Sequence, residues 1–292
     1  MGDRMYYFLI LFAVLLFGLN FAAYDGYRKI CGSGIVVSLR STLIGGVAGL
    51  LVLFIYSGFV FEYTPFSLLM ALLAAVAGIG FTFFSFKALE KVNLSLYSVF
   101  SMLGGMVLPF LQGILFYNEA ITLSKALCFF LVAASLFLTV ACGCGRKGAI
   151  YYAGVFILNG ASGVLSKIFI SAPYEKVSAV GYSILLAILL ILVSLFALLV
   201  LRLLGIRADK RETLTSFGLC SLSGALNKVA NFILVVALLH VDASVQYPMV
   251  TGGVMIVSTL LCFFGKRKPT LRELLSVLFA FLGTLCLFVV PI

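Results

Sequence analysis

Residues 88–98 read ALEKVNLSLYS and residues 237–247 read ALLHVDASVQY. Ala88, Leu89, Val92 and Ser95 recur as Ala237, Leu238, Val241 and Ser244, and Asn93 is answered by Asp242. Further along, residues 116–123 (FYNEAITL) align with residues 264–271 (FGKRKPTL), each leading into a last apolar stretch. What lies between the two copies decides the architecture. Apolar stretches fall near residues 5–24, 34–57, 66–88, 94–117, 122–142, 149–171, 178–203, 214–238, 243–264 and 271–290. About 20 helical residues cross the ~30 Å hydrocarbon core of a bilayer, so each stretch is long enough to span. Five spans per copy is an odd number, and the second copy must enter the membrane from the opposite face. The pattern predicts an all-α, polytopic membrane protein with ten transmembrane helices in two inverted five-helix repeats, residues 1–145 and 146–292.

Composition agrees. Of 292 residues, 63% are hydrophobic and only 10% charged, with a mean hydropathy of +1.24. Soluble domains are about half apolar and about a quarter charged, which excludes them here. The net charge of +10 gathers in connections between spans, where it sets orientation and contact with anionic lipid rather than marking a nucleic-acid partner. The first apolar run lacks a small-residue cleavage site and reads as a membrane helix, not a removable signal. Arg28, Lys29, Lys87, Lys91, Arg146, Lys147, Arg202, Arg207, Lys210, Arg211, Lys266, Arg267, Lys268 and Arg272 fall in odd-numbered connections. By the positive-inside rule those face the cytoplasm, placing both termini outside the cell membrane. Seven cysteines lie mostly inside apolar segments, and Cys142-Gly-Cys144 has neither a histidine nor a second pair nearby, so no metal site is expected.

The order of short motifs resembles the drug/metabolite transporter superfamily, in its EamA-type branch. Phe17-Gly18-Leu19-Asn20-Phe21 is similar to the first-helix signature of that family, without its usual tryptophan. Ser38-Leu39-Arg40 matches the second-helix arginine pattern. Ala88-Leu89-x-x-Val92, Pro109 and Asn118-Glu119-Ala120-Ile121-Thr122 follow the family run, with Asn118 in place of glycine. In the second half Ala237-Leu238-x-x-Val241 and Gly265 fit, and Lys266 stands where an acid is common. The resemblance implies a secondary transporter of small metabolites working by alternating access, with a central cavity lined by helices 1–4 and 6–9 and helices 5 and 10 peripheral. Export is common among such relatives. Substrates across the family are too varied to choose one.

Within that frame Lys228 matters most. It lies near the middle of an apolar segment, 216–239, flanked by Asn227 and Asn231. An ammonium facing lipid at mid-depth costs at least ~2.5–3.5 kcal/mol, so it is expected to face a cavity and attract a carboxylate or phosphate. The structural alternative is pairing with a carbonyl or carboxylate inside the bundle. Asn159 on helix 6, Asn20 and Tyr24 on helix 1, Tyr247 and Thr251 on helix 9, and Tyr97 and Ser101 on helix 4 supply further polar faces. Arg40 and Tyr182 take corresponding positions near the starts of helices 2 and 7, with snorkelling to the headgroups the competing reading for Arg40. Asp25, Glu62, Glu90, Glu119, Glu175 and Asp242 all sit near the ends of spans. A cationic-drug antiporter needs a deep carboxylate, and a neutral, zwitterionic or anionic metabolite fits Lys228 better. No cofactor is expected. The expected partners are a small-molecule substrate and membrane lipid; a coupling proton or ion stays open, as does a homodimer through helices 5 and 10 at Gly143 and Gly283. A flippase for a lipid-linked metabolite would share the fold. A membrane-embedded enzyme is disfavoured, because the one histidine, His240, sits in a connection beside Asp242 and Ser244 without triad geometry.

Overall fold

The computed structural model describes residues 2–117, 122–141, 146–206, 212–238, 240–241, 243–264 and 268–289. Among them are ten helices and no strand: α1 (Gly2–Cys31), α2 (Ile35–Ser57), α3 (Pro65–Lys91), α4 (Leu94–Tyr117), α5 (Leu123–Ala141), α6 (Arg146–Ser171), α7 (Ala179–Leu203), α8 (Leu214–Leu238), α9 (Ala243–Phe263) and α10 (Leu271–Val289). Seven of these, α1 to α4 and α6 to α8, are long and apolar enough to cross a membrane within their described residues.

Local chemistry sets the boundaries. Thr64 accepts from the Ser67 N–H ahead of Pro65 at the first helical position, and Ser178 accepts from Gly181 at the start of α7. Gly58, at φ 64°, ends α2 in the left-handed region. The expected spans match these helices closely except at α1, which runs to Cys31 rather than residue 24. Asp25, read from the sequence as an end residue, is therefore inside α1 and buried, where Arg28 and Lys29 one turn on neutralise it at 2.8 and 2.5 Å.

Connections sort into two ends. Ser33 donates to Glu90, Tyr27 to Glu212, and Asn93 to Glu273, joining the α1–α2, α3–α4, α7–α8 and α9–α10 connections at one end, here the basic end. Ser178 donates to Glu62 from both its N–H and its hydroxyl, and Tyr6 stacks on His240 at 3.9 Å, at the opposite end.

Eight helices pack as a closed ring in the order α2, α7, α3, α6, α4, α9, α1, α8 and back to α2. α5 and α10 lie outside it, packed on each other and joined to the ring mainly through α9. Their contact is reciprocal: Ser135 donates to the Ser276 carbonyl at 2.8 Å and Ser276 to the Ser135 carbonyl at 3.0 Å. Gly283 packs against Leu131 and Val132 of the same chain, so this small residue serves an internal contact. Gly143 lies outside the described residues.

Candidate functional site

Glycines let the ring helices approach closely. A Cβ on Gly224 of α8 would stand 2.1 Å from the Gly45 carbonyl oxygen of α2. One turn on, a Cβ on Gly49 would meet Cγ of Lys228 at 2.9 Å, so the lysine stem lies over a notch in α2. Two turns past Gly224 the contact becomes aromatic, with Tyr56 against Phe232 at 4.2 Å. Lys228 is half-buried, and its ammonium has neither an ion pair nor a hydrogen bond among the described residues. The pairing alternative raised by the sequence finds no partner among the described residues.

The helical steps around the α1- and α2-facing positions of α8 place Asn227 and Asn231 on its inner side. Asn231 is exposed and donates to the Asn227 carbonyl at 2.7 Å, keeping its own amide on the helix. On α6, Asn159, Ser162 and Ser166 fall on one face by the same count. Asn159 donates to the Ser101 carbonyl of α4 over Gly105, tying these two candidates together. Ser162 and Ser166 are half-buried and donate back to carbonyls of their own helix.

In the basic half the ring is crossed. Tyr24 of α1 donates to the Thr82 carbonyl of α3 at 3.2 Å and packs on Phe86 at 4.5 Å. Phe21 of α1 meets Tyr97 of α4 edge-on at 5.3 Å, and Tyr97 donates to Ser85 at 3.2 Å. Tyr27, Tyr97 and Phe86 are almost fully buried, so this half is a packed aromatic plug. The sequence set Tyr97 among the polar faces of a cavity; the structure places it inside the plug.

The remaining candidates are dispersed. Asn20 accepts from Ser223 of α8 at 2.6 Å, a buried polar clasp between residues far apart in the chain. Arg40 lies 3.9 Å from Glu212 at the basic end, away from Lys228. Tyr182 stacks on Phe169 at 4.2 Å with its buried hydroxyl unpartnered among the described residues. Thr251 is half-buried on α9, and the side chain of Tyr247 lies outside the described residues, as do Glu119, Cys142, Cys144 and Asp242. Gln246 of α9 is 3% exposed, donates to the Leu234 carbonyl at 2.9 Å, and its Oε1 has no partner among the described residues. No group of metal ligands occurs among the described residues.

The fold has precedent. One solved chain, described only as a crystal structure of a protein, superposes with a TM-score of 0.60 over 97% of this chain and 95% of its own. At 15% identity it shows a shared fold and nothing about activity. Comparison of the sequence with family models and with curated proteins gives no match.

Proposed function

We propose that the chain is a secondary transporter of the drug/metabolite type, in which two inverted five-helix repeats, residues 1–145 and 146–292, move a small anionic, zwitterionic or neutral metabolite by alternating access. The carrying observation is Lys228: a lysine deep in an apolar helix, half-buried, with no protein partner among the described residues. An intramembrane charge left unpaired is costly, and a ligand of opposite charge is the simplest reason to keep it.

The helix order supports the repeat. Exchanging each helix for the one five positions on turns α1·α8 into α6·α3, α4·α6 into α9·α1, and α2·α8 into α7·α3, all of which pack. The correspondence reaches single residues. Gly104 lies against Phe156 as Gly253 lies against Val14, and Gly160 against Leu108 as Gly18 against Val257. In the register of residues 116–123 and 264–271 the Ser135–Ser276 contact corresponds to that of Gly283 with the Cys128 carbonyl, and both are made.

The test is counterflow in liposomes holding the purified protein, with labelled amino acids, organic acids and sugar phosphates. Exchange of one acidic or zwitterionic class is expected, falling at least about tenfold in Lys228→Met, equivalent to ~1.4 kcal/mol of binding. Exchange that is indifferent to Lys228→Met would remove its binding role. Movement of lipid-linked substrates alone would replace the reading with a flippase.

A further inference from the structure

Glycines in the seam between α2 and α8 do two different things. Gly45 and Gly224 set the approach of the helices, backbone against backbone. Gly49, one turn further along α2 and itself buried, meets a side chain instead. A Cβ there would stand 2.9 Å from Cγ and 3.4 Å from Cε of Lys228, and 3.4 Å from the Gly224 carbonyl oxygen. Two carbons of the stem therefore lie against Gly49, and the stem runs across α2 rather than touching it at the tip. The notch is bounded along the seam. Gly224 closes on Gly45 toward the basic end, and Tyr56 packs on Phe232 at 4.2 Å toward the other. The α3–α7 seam, which answers to this one when each helix is exchanged for the one five positions on, is filled by an apolar side chain: Leu190 lies over Gly78 at 3.3 Å.

A lysine carries its charge on a flexible four-carbon stem, and an ammonium held by nothing else swings toward whatever polar surface it can reach. A notch that takes the stem removes that freedom before an anion arrives, and preorganisation of this kind separates a tight site from a loose one. Only glycine leaves the notch open. We propose that Gly49 is a positioning residue for Lys228: having no side chain, it lets the lysine stem lie across α2 and so fixes where the ammonium meets the acidic group of the cargo. A side chain at this position lifts the stem off α2 and displaces the charge. This assignment rests on the transporter reading and adds to it the residue that decides where the charge stands.

The experiment compares Gly49→Ala with Gly45→Ala in the full chain. A Cβ at Gly45 meets nothing closer than 3.6 Å, so this control adds the same methyl group to the same helix without touching the lysine. Reductive methylation with formaldehyde and cyanoborohydride is timed at Lys228 by peptide mass spectrometry, with Lys87 and Lys91 as references. KM and Vmax are measured in liposomes for the labelled amino acid, organic acid or sugar phosphate that the parent exchanges. Gly49→Ala is expected to keep its thermal midpoint, because a side chain and not backbone has to move. It should change the methylation rate of Lys228 at least about fivefold and raise KM about tenfold, with Vmax within about twofold. Gly45→Ala should match the parent throughout. A midpoint several degrees lower in Gly49→Ala than in Gly45→Ala would mean that the methyl group meets the backbone of α8, and overturns the proposal; so does an unchanged methylation rate. If Lys228→Met abolishes exchange while Gly49→Ala leaves KM unchanged, the positioning role falls and the binding role stands. If exchange is indifferent to Lys228→Met, or the parent exchanges no solute, both fall.

Discussion

Lys228 shows how one side chain can be read against its surroundings. A lysine kept to hold helices together would have a carbonyl or carboxylate partner, and removing it would leave that partner stranded. No such partner is present among the described residues, so Lys228→Met should leave the thermal midpoint unchanged or raise it while abolishing anion-dependent stabilisation. A fall in the midpoint by several degrees would make the residue structural. Glu62 behaves differently. Its carboxylate accepts from the N–H and hydroxyl of Ser178, which hold its pKa below the ordinary glutamate value. A carboxyl with a depressed folded pKa contributes stability that is fully present above the unfolded value and lost as pH falls through the folded one. Thermal midpoints followed downward from pH 6 should therefore drop less steeply in Glu62→Gln than in the parent; identical profiles would show that this cap adds nothing.

Between helices, glycine position decides the outcome of substitution more than glycine content. A methyl group at Gly224 would collide with the backbone oxygen of Gly45, which cannot step aside without moving α2. Gly218, two turns earlier on the same helix, has nothing within 4 Å of its would-be Cβ. Gly224→Ala is expected to cost about 1–3 kcal/mol by overpacking, and Gly218→Ala to be neutral or stabilising by roughly 0.5–1 kcal/mol. Melting curves of the two variants in one detergent check both, and equal effects would discount the α2–α8 contact. The glycines were visible in the sequence; their partners were not, because the ring order joins helices far apart in the chain.

Across the whole molecule, charge and closure separate by end. Arg28, Lys29, Lys87, Lys91 and Arg202 lie at the basic end, where the aromatic plug closes the ring. With that end cytoplasmic, the end that holds Glu62, Tyr174 and Ser178 faces outward. Lys91, the last residue of α3, and Tyr174, in the α6–α7 connection, are exposed at the two ends, so in intact cells Tyr174→Cys should react with an impermeant maleimide and Lys91→Cys only after permeabilisation. The reverse pattern would invert the orientation.

The sequence alone determined ten apolar segments, their approximate ends and the isolation of one lysine among them, because length, hydropathy and a buried charge are local properties of a chain. It also showed the two copies of residues 88–98 and 237–247, hence an alternating polar and apolar text repeated once. Tertiary structure decided which polar groups remain available. Asn20 and Ser223 satisfy each other, Asn159 is bound to α4, and Tyr24 and Tyr97 are absorbed in the plug, while Lys228 and Oε1 of Gln246 are left without partners among the described residues. A hydrogen bond between residues about two hundred positions apart depends on the order and rotation of helices in the ring, and that order is set by close packing between faces whose partners no stretch of sequence specifies by itself.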